Sequence, residues 1–254
     1  MTRLAEEWAI FLLAVQFMTR LPVRPAGWSS ERMAASPRWY PAVGVLVGGT
    51  AAFVYGGANL VFPTILAVLL STVAAVVLTG ALHEDGLADC CDGLGGAASM
   101  DRALEIMRDS RIGVYGALGL GLLMAVKVAS LTGLPAWAVP SALVAAHATS
   151  RSSAVLVMAT SRYVRDQGAG TPVAGGTGVL LPALIMGALA CLPLLAQAPV
   201  AAACGLFGLA IGHGVMRRVF DRRLGGYTGD CLGAVQQLSE VGFYLGVLAV
   251  LGLG

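Results

Sequence analysis

Charged side chains are scarce in this sequence of 254 residues. They make up 12% of it, against about 25% in a typical soluble domain, and lysine occurs only as Lys127. Hydrophobic residues make up 57% of the chain. This balance excludes an ordinary soluble domain and favours one integral membrane domain over residues 1–254, with the lipid bilayer as its partner. The formal net charge is only +2, so we expect no nucleic acid partner.

Cysteine is sparse as well. The five cysteines are an odd number and show no zinc-binding spacing, so the sequence indicates neither a zinc site nor a disulfide framework. We interpret them as small packing residues.

Long apolar runs are what the sequence has in place of charge. About 20 residues of helix cross the hydrocarbon core of a bilayer, and seven runs approach that length. We therefore predict an all-α fold, a polytopic transmembrane helix bundle of about seven spans. The runs are Tyr40–Val61, Thr64–Leu82, Ile112–Leu131, Trp137–Ala159, Gly178–Ala196, Val200–Met216 and Ala234–Leu253.

An eighth apolar run, Trp8–Met18, is too short to span. Glu6 and Glu7 precede it, and no small-residue cleavage site follows it, so it does not have the pattern of a signal peptide. We predict a short N-terminal interfacial or re-entrant helix.

Arginines give the expected orientation. Nearly all of them fall in the N-terminal stretch and in loops 83–111, 161–177 and 217–232, while the other hairpins carry no charge. Seven spans place these four segments on one face, and the arginine bias makes that face cytoplasmic. We therefore expect the three loops to carry an active site that faces the cytoplasm.

The strongest chemical signal is the segment His83–Gly93. It places Glu84, Asp85, Asp89 and Asp92 within nine positions, and carboxylates this close repel one another unless a cation holds them together. If the segment continues the preceding span as a helix, the three aspartates share one face. We predict that they are both catalytic residues and ligands of Mg²⁺, which prefers carboxylate oxygens.

Two further stretches, Met100–Gly116 with Arg108 and Arg111 and the loop 217–232, offer groups for an anion. The loop 217–232 ends in a glycine-rich stretch that contains Asp230, a fourth predicted metal ligand, and exposed backbone N–H groups there suit a phosphate. We predict that several residues bind substrate, namely Arg20, Arg108, Arg111, Arg151, Gly226, Thr228 and Gly229.

Ionisable residues inside the predicted spans are costly in lipid and face the bundle interior. We expect Lys127 and Glu240 to pair, and we expect His147 and His213 to be hydrogen-bonded residues rather than metal ligands. Arg151 lies deep enough to require a partner.

Four segments together resemble the cobalamin synthase family, the adenosylcobinamide-GDP ribazoletransferases. They occur in the family's order over nearly the whole chain: Phe17–Val23, His83–Gly93, Leu104–Gly113 and Gly225–Ala234. The family usually shows His-Leu-Asp-Gly where this chain has His83-Glu84-Asp85-Gly86. Glu84 departs from that pattern and is left out of the predicted ligands.

The resemblance implies a multi-pass enzyme of the bacterial inner membrane that depends on Mg²⁺ and acts late in cobalamin biosynthesis. Such an enzyme joins adenosylcobinamide-GDP to α-ribazole, or to α-ribazole 5′-phosphate, and releases GMP. The product is adenosylcobalamin or its 5′-phosphate. The sequence leaves open the choice of acceptor, the number of metals and whether the chain forms a homo-oligomer.

Two other functions compete with this one. A CDP-alcohol phosphotransferase also has spaced aspartates at the end of a membrane helix, but its Asp-Gly-x-x-Ala-Arg pattern fails at Asp89. An ion-coupled transporter would place its acids near the midplane, between broken helices, whereas here they adjoin one end of a span.

Overall fold

The computed structural model describes residues 2–24, 27–165 and 177–252, and this part of the chain is almost wholly helical. The first half contains α1 (Arg3–Met18), α2 (Ser30–Ala35), a 3₁₀ helix (Ser36–Trp39), α3 (Tyr40–Asn59), α4 (Thr64–Thr79), α5 (Leu82–Gly96), α6 (Met100–Ile106) and α7 (Val114–Thr132). The second half contains α8 (Ala138–Thr160), α9 (Thr177–Ala190), α10 (Leu192–Gln197), α11 (Pro199–Leu224) and α12 (Gly229–Leu251).

Six helical stretches are long and apolar enough to cross a membrane, and a bent pair, α4 with α5, raises the number to seven. The predicted all-α, polytopic bundle of about seven spans is therefore confirmed. The six stretches are Ser30–Asn59, Val114–Thr132, Ala138–Thr160, Gly178–Gln197, Pro199–Leu224 and Gly229–Leu251.

The acidic segment is helical, but it does not continue the preceding span in a straight line. The helix α4 ends at Thr79, and α5 leaves it at an angle of 89°. Gly80 and Ala81 form the bend with φ values of 66° and 60°, in the left-handed region that glycine tolerates and alanine rarely adopts. The acids therefore lie on a separate helix, outside the six spanning stretches.

Two further boundaries differ from the prediction. The run Val200–Met216 belongs to a longer helix, because α11 continues through its arginines to Leu224 and ends at Gly225 with a φ of 67°. Arginine is a good helix former, so the loss of hydrophobicity ends the span without ending the helix. The last helix likewise begins at Gly229, five positions before the expected Ala234.

The N-terminal helix is longer than its apolar run, since α1 begins at Arg3 and includes the two glutamates. Glu6 pairs with Arg32 at 2.7 Å and Glu7 with Arg38 at 3.0 Å. These ion pairs fasten α1 to α2 and the 3₁₀ helix, while its buried face packs beside α3. Its predicted interfacial or re-entrant placement in the membrane stays a prediction.

Candidate functional site

The acidic helix α5 rests against the first turn of α12. A Cβ atom on Gly86 would lie 3.0 Å from the Cα of Asp230 and 2.8 Å from its carbonyl oxygen, so only glycine permits this approach. Deeper in the same contact, the buried sulfur atoms of Cys90 and Cys231 lie 3.9 Å apart, in agreement with a packing role. The predicted contact between loop 217–232 and the acidic segment His83–Gly93 is thus present in the structure.

The aspartates influence one another electrostatically. Asp85 is exposed, while Asp89 and Asp230 are partly buried. Burial, followed by the negative charges of Asp230 and Asp85, raises the pKa of Asp89 to about 7. Three acids therefore share one region, although among the residues described no three His, Cys, Asp or Glu side chains are already spaced to hold a metal.

Asp92 has a role that the sequence did not reveal. Its two carboxylate oxygens accept hydrogen bonds from the backbone N–H groups of Gly113 at 2.7 Å and Gly116 at 2.8 Å. The first turn of α7 has no capping side chain of its own because its N-cap is Gly113. A carboxylate from α5 satisfies these free donors and complements the helix dipole. Its predicted metal-binding role stays a prediction.

Arg165 is the basic partner of the site, and the sequence analysis gave it no individual role. Its guanidinium donates to Asp230 at 2.8 Å and to the carbonyl oxygen of Met107 at 3.4 Å. Both side chains of the ion pair are largely buried. A single arginine in a loop carries no sequence signal for this pairing. The rest of that loop, residues 166–176, lies outside the described part of the chain.

The short segment around Arg165 is fixed by backbone pairing with the last loop. Tyr227 N–H donates to the carbonyl oxygen of Arg162 at 2.8 Å, and Val164 N–H donates to that of Tyr227 at 3.0 Å. Gly226 lies against the Arg162 carbonyl, where a side chain would collide. Residues 161–165, the described part of loop 161–177, therefore contact loop 217–232, which agrees with the prediction that both loops lie on one face.

Thr228 and Gly229 differ in how free they are to contact a substrate. The buried Thr228 hydroxyl accepts from Cys231 N–H at 3.4 Å as the N-cap of α12, and it lies 3.3 Å from a carboxylate oxygen of Asp230. Gly229 has open space where a side chain would be and lines a cavity. Substrate binding by Gly226, Thr228 and Gly229 stays a prediction, with structural roles already evident for the first two.

The predicted phosphate-binding arginines lie outside the acidic contact. The side chain of Arg111 is 87% exposed and pairs with Asp109 at 2.6 Å. This hydrogen-bonded pairing lowers the pKa of Asp109 to about 2. Arg108 is exposed, and Arg20 lies against Gly80 at the bend between α4 and α5. Phosphate binding by these three residues stays a prediction, and Arg111 would have to exchange Asp109 for the substrate.

Arg151 lies in the bundle interior rather than at the acidic face. It is 1% exposed, and one guanidinium N–H donates to the carbonyl oxygen of His147 at 2.9 Å. His147 in turn lies 3.2 Å from Glu240, which pairs with Lys127 at 2.5 Å. The predicted Lys127–Glu240 pair is confirmed, and direct substrate contact by Arg151 stays a prediction that its burial does not favour.

The hydrogen-bonding roles predicted for the histidines agree with the structure. His213 lies 2.8 Å from the hydroxyl of Ser153, which also contacts Ser239 at 2.9 Å. His147 belongs to the network around Glu240.

Glu84 links the interior network to the acidic helix. Its carboxylate accepts a hydrogen bond from the Gln237 amide at 2.9 Å, and both side chains are buried. Gln236, the next residue of α12, donates to Glu240 at 2.6 Å. The two adjacent glutamines and the nearby Glu240 in a predicted span were the sequence features that indicated such a network. Glu84, omitted from the predicted ligands, thus anchors the start of α5 to α12 at the position next to Asp85.

Beside the aspartates is a cavity of about 170 Å³, between α1, α3, α5, α8 and α12. Asp85, Asp230, Gly229 and His83 contribute to its wall. Most of the remaining wall is apolar, formed by Phe17, Met18, Tyr40, Leu82, Ala154, Met158 and Leu232. The arrangement can therefore present a charged group to the acids and an apolar group to the cavity.

Comparisons with known proteins identify the family of this chain. The family model of cobalamin-5-phosphate synthase matches residues 10–248. A protein of Leptothrix cholodnii named adenosylcobinamide-GDP ribazoletransferase is 45% identical over 98% of both chains. A protein of the same name from Ralstonia pickettii is 41% identical over 98% of both chains. Another, from Shewanella frigidimarina, is 41% identical over 95% of this chain and 94% of its own. No solved structure matches the chain. Because the family model and these relatives cover nearly its whole length, the chain belongs to the cobalamin-5-phosphate synthase family.

Proposed function

We propose that this protein is an Mg²⁺-dependent adenosylcobinamide-GDP ribazoletransferase of the bacterial inner membrane, with its active site facing the cytoplasm. The donor follows from the names of relatives that match nearly the full chain. The acceptor is α-ribazole or its 5′-phosphate, and the products are adenosylcobalamin, or its 5′-phosphate, and GMP. The match over residues 10–248 favours neither a CDP-alcohol phosphotransferase nor a transporter.

The observation that carries the site assignment is the contact between α5 and the first turn of α12. It brings Asp230 to the helix that presents Asp85 and Asp89, with Arg165 paired to Asp230 at 2.8 Å. Carboxylate oxygens are the donor set that suits Mg²⁺, so the residues present fit this metal. Asp85, Asp89 and Asp230 would hold it, while both oxygens of Asp92 are bonded to backbone N–H groups.

A metal held there would neutralise negative charge on the pyrophosphate of the donor. The chain's own residues would bind the phosphate oxygens and accept the proton. Arg165 lies where it can contact a phosphate oxygen once the substrate competes for its pairing with Asp230, and an arginine fork suits such oxygens. A carboxylate oxygen of Asp85, Asp89 or Asp230 that does not bind the metal would accept the proton of the attacking hydroxyl.

The reaction balances as a single displacement at phosphorus. A ribose hydroxyl of the acceptor bonds to the phosphorus attached to the cobinamide, the bond from that phosphorus to GMP breaks, and the hydroxyl proton passes to the base. The 5′-phosphate of a phosphorylated acceptor persists in the product, so the attacking oxygen is a different ribose hydroxyl.

Purified protein in lipid nanodiscs tests this function. Adenosylcobinamide-GDP and α-ribazole are mixed with and without Mg²⁺, and GMP and the corrinoid product are measured. We expect equimolar GMP and product only when Mg²⁺ is present. Asp221→Asn is the matched control, because this exposed acid pairs with Arg217 on α11 outside the proposed site. Turnover in chelator equal to that in Mg²⁺ would overturn the metal requirement, and no product under any condition would overturn the function.

A further inference from the structure

The cavity beside Asp85 and Asp230 is not explained by the metal and phosphate chemistry alone. Its wall contains two aromatic rings, those of Phe17 and Tyr40, which lie nearly parallel at 14° with centroids 6.1 Å apart. Ala154 and Met158, which also line the cavity, occupy successive turns of one face of α8. The carboxylates of Asp85 and Asp230 lie at the same cavity.

We infer that this cavity binds the planar aromatic base of the acceptor nucleoside, with the ribose directed toward Asp85 and Asp230. The inference rests on the proposed function and assigns one substrate to one part of the site. A base held against apolar and aromatic walls would leave the ribose hydroxyls beside the carboxylates, where deprotonation is needed.

The size and the chemistry of the cavity indicate which part of the two substrates it binds. A cavity of about 170 Å³ is smaller than sites for drug-sized ligands, which run from about 300 Å³ upward. It therefore suits a bicyclic ring and is too small for a corrin macrocycle. Guanine would bring several hydrogen-bonding edges into a mostly apolar wall and leave them unpaired, which is costly. The base of α-ribazole is an alkylated benzimidazole, which carries few hydrogen-bonding groups.

Placing the base here also leaves the donor a separate approach. The arginines at positions 108 and 111 are exposed and are not part of the cavity wall, whereas the cavity reaches inward to Met18 and Ala154, both buried. The two substrates would then meet at the aspartates from different sides, as a displacement reaction requires.

Filling the cavity tests the inference. Ala154→Leu should raise KM for α-ribazole about tenfold or more, the effect of crowding a hydrophobic pocket, while KM for adenosylcobinamide-GDP stays within about twofold of wild type. The riboside of unmethylated benzimidazole is smaller, so Ala154→Leu should raise its KM by a smaller factor than it raises the KM for α-ribazole. Ala210→Leu is the control, because it fills a different apolar cavity, between α8, α9 and α11.

A second variant avoids overpacking. Met158→Ala enlarges the cavity, so it should also raise KM for α-ribazole and improve the relative use of a riboside with a bulkier base. Equal changes in KM for both substrates in the two variants, or no change for α-ribazole in either, would overturn the inference.

Direct binding separates this inference from the proposed function. Calorimetry with α-ribazole alone should show binding to the wild type, weakened about tenfold by Ala154→Leu and unaffected by Asp89→Asn. Binding of that kind without any turnover would overturn the function and leave the cavity assignment standing. If the protein turns over and neither cavity variant changes its affinity for α-ribazole, the cavity assignment alone would be overturned. If the wild-type protein shows neither binding nor turnover, both proposals would be overturned.

Discussion

At the scale of single residues, the acids of α5 divide into two kinds. Asp85 and Asp89 lie near Asp230, and burial, followed by these neighbouring negative charges, raises the pKa of Asp89 to about 7. Asp92 uses both carboxylate oxygens on the first turn of α7. The three aspartates look equivalent in sequence because of their helical spacing, but their surroundings in the structure differ.

The first prediction separates these roles. Asp85→Asn and Asp89→Asn should remove most activity, because each keeps the side-chain shape and removes a charged ligand, and the melting temperature should change little. Asp92→Asn should lower the free energy of unfolding by about 1 kcal/mol, the usual value of a helix cap. Activity with saturating Mg²⁺ and thermal melts in detergent give the two measurements. Wild-type rates in both Asp85→Asn and Asp89→Asn would exclude the proposed metal ligands.

The second prediction compares two arginines that the sequence could not rank. Arg165→Lys should reduce kcat strongly, because lysine keeps the charge and loses the planar fork that pairs with Asp230. Arg111→Lys should raise KM for adenosylcobinamide-GDP if Arg111 exchanges Asp109 for phosphate. Arg102→Lys is the control, since Arg102 pairs with Glu105 on the exposed surface of α6. Unchanged kinetics in Arg111→Ala would remove Arg111 from the phosphate site.

At the scale of elements, the important feature is the separate helix α5. It turns away from α4 at Gly80 and Ala81 and is held on α12 by the close approach at Gly86 and by the hydrogen bond from Gln237 to Glu84. The bond lies one residue from Asp85. It gives the base of the acidic helix a fixed position relative to Asp230.

The third prediction tests this anchor. Gln237→Leu leaves the buried Glu84 carboxylate without its donor, which should cost about 1–3 kcal/mol of stability and raise the Mg²⁺ concentration for half-maximal rate. Combining Glu84→Gln with Gln237→Glu reverses donor and acceptor and should restore both quantities toward wild type. Thermal melts and Mg²⁺ titrations of the rate provide the comparison.

A purely structural role would give a different result. In that case the melting temperature would recover in the combined variant while the Mg²⁺ requirement stayed at the wild-type value throughout. That outcome would separate Glu84 and Gln237 from the positioning of Asp85.

The sequence predicted the class of fold and the approximate spans because apolar length is a local property. It could not predict the bend at Gly80, since alanine rarely adopts the positive φ found at Ala81. The N-terminal segment contacts this bend from far away in sequence, where Arg20 N–H donates to the carbonyl oxygen of Leu78 at 2.8 Å. It also missed Arg165 and the cap formed by Asp92, because both depend on contacts between residues far apart in sequence.

At the scale of the whole molecule, charge is distributed in two layers. The interior holds Lys127, Glu240, His147 and Arg151 in one buried network, which keeps these ionisable groups away from lipid. The second layer is the arginine-rich face with the acidic helix and the paired loops 161–165 and 226–228. Gln236 and Gln237 of α12 join the two layers.

The fourth prediction concerns how this molecule is oriented in the membrane. The bias of arginine toward one set of loops should place that set in the cytoplasm, so a cysteine introduced by Ala98→Cys, in the exposed turn between α5 and α6, should react with a membrane-impermeant maleimide only after cells are opened. Ala136→Cys lies exposed in the opposite hairpin, between α7 and α8, and should react in intact cells. Both variants are made in a background in which the five native cysteines are replaced by alanine or serine and activity is retained. Labelling of Ala98→Cys in intact cells would reverse the orientation, place the acidic helix on the outer face and contradict the proposed access of cytoplasmic nucleotide substrates to Asp85 and Asp230.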